Sequence, residues 1–398
     1  MSIQAADVPF PRTFAILLAS TAIGGAERYL VELAIAMRQS RTRPVMMNLK
    51  TTIPYVADLL RYGVDLQLGI APSRWDPTAV FKLIKALRKA RPDVLLINSN
   101  RQAMIVGGIA SRLSGVPVTL VHTHDHIGPI YPAMRVLAGT TDGIVAAAAQ
   151  HRAFLCAVHG LPPRRVAWVH PGINVGRLHS DSGPQRLEPR PGRGAIVGIV
   201  AALRPEKDHE TFLRAAALVA NELPDTRFLV VGDGTRRRHL EELALTLGLA
   251  PRVEFLGWQT VDLTLLKRLA VLALSSREET FPAAILEALA AGVPVVTTDV
   301  GAVRELFGSC HCGVIVPPGD PAALAKGIRA VLLDRRMAQE ASAAGLRRAE
   351  YFSAARFCQD MLLLTRRIAE AKRMGPVADV SQFSPQGVVG PGSTSSDG

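Results

Sequence analysis

The chain has 398 residues, 48% of them hydrophobic, and a formal charge of +12, which is enough material for two buried cores and makes two domains the expectation. No apolar run approaches the roughly 20 residues needed to span a bilayer, and the four cysteines, Cys156, Cys310, Cys312 and Cys358, show no framework spacing; together these exclude a membrane-spanning helix and a disulfide scaffold and fit a reducing cytosol. The charge is lopsided, with 22 Lys+Arg against 11 Asp+Glu up to Arg190 and 24 against 23 beyond it, so the first half suits anionic lipid or a phosphorylated acceptor; without a recognised module or an aromatic-interleaved basic stripe, nucleic acid is excluded.

In chain order, Thr13 to Ala19 reads as a first strand, too short for a signal-peptide core and lacking a basic start. Gly24-Gly25 follows, ahead of a helix starting near Ala26, and lets a ligand approach the backbone with no Cβ in the way. Glu27 behind it caps or neutralises the helix start. Further strands are expected at Pro44 to Leu49, Val94 to Asn98, Val116 to Val121, Gly143 to Ala147 and Val166 to Val169. Lys82, Lys85, Arg88, Lys89 and Arg91 share one predicted helix with Phe81, Ile84 and Leu87. That helix is either a solvated face over a buried stripe or a peripheral contact with an anionic membrane. VHTHDH ends a strand, with His122 and His124 expected on opposite sides of the extended chain and His126 further into the loop.

A Pro/Gly/Arg-rich stretch, Gly172 to Gly194, reads as a linker, after which strands restart at Ala195 to Ala201, Arg227 to Val231, Val253 to Leu256, Val271 to Leu274 and Val293 to Thr297. Strands alternating with amphipathic helices predict an α/β protein of two doubly wound domains. The expected division is 1–190 with the linker from about 172, 191–350, a terminal helix over 351–374, and a disordered tail over 375–398 rich in Gly, Pro, Ser and Gln. Cys310-His311-Cys312 is too tightly spaced, and too alone, for a metal site.

One residue stands out. Glu287 is the only ionisable group in FPAAILEALAAGVPVVTT, a stretch in which Pro282 suits the first helical position and Gly292 the C-cap. A helix apolar on all sides is buried on all sides, so its carboxylate needs a ligand or a buried cation to offset lost hydration. Glu279 lies in the loop feeding that helix, and the helix mouth at Pro282 and Ala283 attracts anions. Phosphate at the mouth and hydroxyls on two carboxylates describe a nucleotide sugar. The bland alternative is an internal ion pair for Glu287 and an ordinary surface Glu279.

The segment SSREETFPAAILEALAAGVPVVTTDVGAVRELF resembles the signature of retaining, nucleotide-sugar-dependent glycosyltransferases of the GT4 type, whose two-glutamate motif falls on Glu279 and Glu287. IGGAER, ALRPEKDHE, VVGDGTRR, VEFLGW and GVIVPPGD occur in the family's order, so the resemblance covers nearly the whole chain apart from the tail. It implies the GT-B fold, two Rossmann-like domains facing across a cleft, with the donor on the second domain, the acceptor on the first, and the last helix returning toward the first.

The resemblance also implies roles. Glu279 would bind hydroxyls of the transferred sugar, Glu287 the ribose, and Lys207 with Arg204 the diphosphate, whose charge grows as the glycosidic bond breaks. The family more often carries its Arg at the position of Ala202, for which Arg204 would substitute; the plain alternative is an ion network of the pair with Glu206 and Asp208. Gly24, Gly25 and Gly232 would lie near the donor, and His122 or His124 would contact the sugar and organise the acceptor side; the loop with Gly257 and Trp258 is a candidate for base contact, with core packing the equal alternative for Trp258. No Asp-x-Asp triplet occurs, so no metal and no other cofactor is expected, and transfer would proceed by front-face substitution. The implied partners are a nucleotide-sugar donor and a saccharide, lipid-linked or small-molecule acceptor, in cytoplasmic glycan or glycolipid biosynthesis. Two alternatives stand beside this. An NAD-dependent oxidoreductase needs a Gly-x-Gly-x-x-Gly fingerprint that neither glycine cluster supplies, and a catalytically silent scaffold is kept open by Ala202 and Ala270, where related chains often carry Arg and Asp.

Overall fold

The computed structural model describes residues 10–21, 24–53, 55–73, 75–124, 139–176, 194–259, 261–375, 379–381 and 383. The chain divides into two compact units, Met1–Gly172 with Ala354–Gly398, and Ile173–Ser353. His126 and most of the expected linker lie outside the described residues.

The first unit carries β1 (Thr13–Leu18), β2 (Arg43–Asn48), β3 (Asp65–Gln67), β4 (Val94–Asn98), β5 (Val118–Thr123), β6 (Gly143–Ala146) and β7 (Val166–Trp168), with α1 (Gly25–Gln39), α2 (Val56–Arg61), α3 (Ala79–Ala90), α4 (Arg101–Ser114) and α5 (Ala149–Ala157). The second carries β8 (Ile196–Val200), β9 (Arg227–Val231), β10 (Val253–Gly257), β11 (Val271–Leu274), β12 (Val295–Thr298) and β13 (Gly313–Val316), with α6 (His209–Glu222), α7 (Arg237–Thr246), α8 (Leu263–Leu266), α9 (Ala283–Ala290), α10 (Val303–Phe307), α11 (Pro321–Leu333) and α12 (Arg335–Tyr351). A last helix, α13 (Ala354–Met374), belongs to the first unit.

Both sheets are parallel and doubly wound, in the orders β3-β2-β1-β4-β5-β6-β7 and β10-β9-β8-β11-β12-β13 among the described residues. Strands covered on both faces read as continuous apolar runs, and β4 (VLLIN) and β11 (VLAL) are buried throughout. Each unit has its own core, one around Leu17, Leu95 and Ile97 and one around Phe212, Phe228 and Val296. In such sheets ligands bind beyond the carboxyl ends of the strands where the order reverses. The reversal falls between β1 and β4 in one unit and between β8 and β11 in the other.

The helix α13 completes the first core. Phe357, Cys358, Met361, Leu364 and Ile368 are buried, the helix packs against α1, and Lys372 Nζ reaches Asp142 at 2.8 Å and the Pro117 carbonyl at 2.7 Å. Part of the expected disordered tail is also packed: Val380 N–H donates to the Arg164 carbonyl at 2.9 Å, and Phe383 lies under the Arg367 guanidinium at 5.4 Å. Two apolar side chains, 3% and 5% exposed, find cover that the Gly/Pro/Ser composition around them conceals. The four cysteines are free, and among the described residues no helix is long and apolar enough to cross a membrane.

Candidate functional site

In the second unit the loops after β8 and β11 meet at the reversal of strand order. Lys207, at the end of a short 3-10 turn (Pro205–Lys207), donates from Nζ to Glu279 Oε1 at 2.7 Å. Ser276 Oγ donates to the same oxygen at 2.7 Å. Both bonds fall on Oε1, so Oε2 has no protein partner among the described residues. The Lys207 and Glu279 side chains are 23% and 9% exposed, shielded enough for the pair to be felt and open enough for a ligand. The carboxylate thus keeps one oxygen for a hydroxyl, beside an ammonium that can meet developing negative charge.

Backbone packing fixes both loops. The Ser275 hydroxyl donates to the Asp208 carbonyl at 2.8 Å, and Thr298 Oγ1 to the Ser276 carbonyl at 2.6 Å. Gly232, at φ +140, lies so close to the β8 loop that a Cβ would stand 2.0 Å from the Ala201 carbonyl oxygen. Ala201 and Leu203 N–H groups bond the Val231 and Asp233 carbonyls at 3.0 Å each. Gly232 therefore holds the strand end from which the Lys207 loop departs. Gly301, at φ +52, makes the matching approach to the Glu279 carbonyl. Sequence alone does not single out Gly301 or Ser276; the available signal is a glycine three residues after a buried strand and a hydroxyl three residues before the acid.

Glu287 is 3% exposed on α9, among Ile285, Leu286, Ala288 and Leu289 that are fully buried. Pro282 is the N-cap rather than the first helical residue, and Ala283 opens the helix. Arg204 is apart from the Lys207–Glu279 pair in its contacts: its guanidinium lies 4.0 Å from Glu206, with 64% of the side chain exposed. Trp258 is half exposed beside a bulge at Phe255/Gly257.

In the first unit, Gly24 is the N-cap of α1, which starts at Gly25, and a Cβ on Gly24 would meet Glu27 Oε2 at 2.8 Å. His122 and His124 lie on the same side of the chain, with ring centroids 4.1 Å apart. The expectation of opposite sides is corrected by the two-residue period of an extended strand, in which positions i and i+2 share a face. They differ in depth. His122 is fully buried on β5 against Phe357, whereas His124 follows the strand, half-buried, stacked on Tyr29 at 5.9 Å. The basic helix α3 buries Leu83 and Leu87 and leaves Phe81 74% exposed, so Phe81 is not part of its buried stripe. Lys82 pairs with Asp76 at 2.8 Å.

Burial, and secondarily His151, pushes His122 down from 6.5 to about 3. Between those values the unfolded chain binds a proton that folded His122 does not, so stability present in full above pH 6.5 is lost as pH falls toward 3. Urea unfolding over this range should show the midpoint dropping with acid, and His122→Gln should make that drop shallower. Equal slopes would remove His122 from the account.

The sequence profile described as "Glycosyl transferases group 1" matches residues 185–348, and that of "Glycosyltransferase Family 4" matches residues 23–177. The chain is 29% identical to a D-inositol 3-phosphate glycosyltransferase of Salinispora tropica, over 89% of this chain and 85% of that one. It is 29% identical to a 2-deoxystreptamine glucosyltransferase of Streptomyces kanamyceticus, over 65% and 73%. Among solved structures it superposes on Anabaena HepE in complex with UDP and glucose with a TM-score of 0.75 at 22% identity, covering 87% and 97% of the two chains. Sucrose-phosphate synthase of Thermosynechococcus elongatus gives 0.71 at 19% identity, covering 90% and 100%. These likenesses establish the GT-B fold.

Proposed function

Because the chain belongs to the group 1, family 4 glycosyltransferases, we propose that it transfers a glycosyl group from a nucleotide sugar to an acceptor hydroxyl with retention at the anomeric carbon, without a metal. The Lys207–Glu279 pair carries this reading, because one oxygen of the acid is left for a sugar hydroxyl next to a cation. The bond from the anomeric carbon to the phosphate oxygen breaks, the acceptor oxygen bonds the same face, and the acceptor proton passes to the departing phosphate. Lys207 offsets the charge that accumulates on the diphosphate. Arg204 turns to Glu206 instead. Glu279 Oε2 holds a hydroxyl of the transferred sugar and Glu287 the ribose. The mouth of α9 at Pro282 and Ala283, with Gly232, receives the phosphates.

To the first unit we assign the acceptor, with His124 rather than the buried His122 as its polar contact and Gly24 and Gly25 as the backbone that faces it. The relatives named for D-inositol 3-phosphate and 2-deoxystreptamine favour a small hydroxylated acceptor, and the UDP and glucose of HepE make UDP-sugars the first donors to test.

Thermal shift against UDP-, GDP- and ADP-sugars should single out one donor, with stabilisation of about 2.7 kcal/mol at 100 times its dissociation constant. Proton NMR of the product should then show the donor's anomeric configuration, at a rate indifferent to EDTA. An inverted product would overturn retention, a chelator-sensitive rate would overturn metal independence, and binding without release of nucleoside diphosphate would favour a silent scaffold.

A further inference from the structure

A cavity of about 250 Å³ in the second unit adjoins the Lys207 loop and is unused by the transfer. Arg204, Arg236 and Arg277 line it, together with Asp208, His209 and Glu210 at the start of α6. Its two carboxylates are already committed. Asp208 accepts from the Thr211 N–H at 3.3 Å, the Thr211 hydroxyl at 2.8 Å and Arg277 Nε at 2.8 Å. Glu210 pairs with Arg236 and lies 3.1 Å from His239 Nε2. Arg277 bonds Asp208 only through Nε, and its side chain is 64% exposed.

His209 supplies an independent sign of a missing ligand. It is 2% exposed and lines the cavity, and neither ring nitrogen makes a hydrogen bond of full geometry among the described residues, the Ala201 backbone being only a weak partner. A buried polar ring left in that condition costs free energy that a bound acceptor would recover. It is also the first residue of α6, a helix of 14 residues, whose N-terminus presents partial positive charge.

We propose that this cavity is a binding site for a phosphate group, gripped by the guanidinium forks of Arg204, Arg236 and Arg277 with His209 as an imidazole donor, and distinct from the position at which the donor diphosphate meets Lys207. Guanidinium geometry matches phosphate oxygens in pairs. The volume exceeds a bare phosphate several-fold, since one water occupies about 30 Å³ of liquid, so a phosphomonoester of a small molecule fits as well as inorganic phosphate. The proposal rests on the glycosyltransferase reading only in reserving Lys207 for the donor.

Isothermal titration of the full chain with inorganic phosphate and, separately, with glycerol 3-phosphate tests it. Arg236→Gln and Arg277→Gln, each checked for an unchanged circular dichroism spectrum, should weaken binding by about tenfold or more. Lys207→Ala should bind phosphate like the parent while losing donor turnover. Tighter binding of glycerol 3-phosphate assigns the site to a phosphorylated metabolite, and equal binding assigns it to free phosphate. The proposal is overturned if neither ligand binds at millimolar concentration, if both arginine variants bind like the parent, or if only Lys207→Ala loses phosphate. The failure of donor turnover in the parent would leave the phosphate titration interpretable, so the two readings fall separately.

Discussion

Lys207→Ala should lower kcat by about 10²- to 10³-fold, the usual effect of deleting one preorganised charge that meets a developing anion. The ammonium is held at 2.7 Å from Glu279, in a loop fixed by the Ser275 hydroxyl on the Lys207 and Asp208 carbonyls at 3.2 and 2.8 Å. Its position is therefore set before any donor arrives. Removing it leaves Glu279 bonded to Ser276, so the acid stays in place and the fold should tolerate the change. Lys207→Arg is the discriminating companion. A planar fork cannot replace a compact ammonium between a carboxylate and a phosphate, so it should restore donor affinity better than turnover. Steady-state kinetics on the preferred donor give both readouts, and a kcat for Lys207→Ala within about threefold of the parent would contradict the charge-stabilising role.

Gly301→Ala should be a strongly damaging change for a single methyl group in the second unit. Its Cβ would stand 1.6 Å from the Glu279 carbonyl oxygen and 2.5 Å from the carbonyl carbon, with the backbone already at φ +52. The loop cannot simply step aside, because Thr298 Oγ1 holds the Ser276 carbonyl at 2.6 Å and the Ala302 N–H holds the Thr280 carbonyl at 3.2 Å. A loss of about 2–4 kcal/mol is expected from the collision and the positive φ together. Turnover should fall with it, since Glu279 moves. Gly248→Ala isolates the two causes: that residue has φ +71 and nothing within 4 Å of its would-be Cβ. It should cost only the left-handed penalty of about 1–2 kcal/mol and leave kcat unchanged. Urea unfolding and turnover on both variants decide the matter, and equal losses would refute the carbonyl contact.

Much of the fold could be read from apolar strands. Val94–Asn98, Arg227–Val231 and Val271–Leu274 lie where the alternation puts them, because a strand covered on both faces must be apolar along its length. β3 escaped notice, since Asp65–Gln67 is a three-residue edge strand with a charged start. So did β13, Gly313–Val316, a four-residue edge that joins β12.

The candidate site was legible in its residue types and less so in its pairings. Lys207 and Glu279 are 72 positions apart, and only the strand order, which sets β8 beside β11, brings them together. Arg204 and Lys207 share a loop, yet the 3-10 turn between them sends Arg204 toward Glu206 while Lys207 meets Glu279. No local pattern reports which way such a turn points each side chain. The contrast of His122 with His124 needed the third dimension as well, since α13, more than 200 positions later, supplies the Phe357 that covers one of them.

The placement of α13 has a consequence for biogenesis. A ribosome delivers the whole of Ile173–Ser353 before it delivers the segment that seals the first core. The nascent chain therefore carries a finished second unit and an unsealed first one, with the α1 face bare where α13 will dock. Exposed apolar surface of that kind is what chaperones engage, and this unit stays open to them until α13 has emerged.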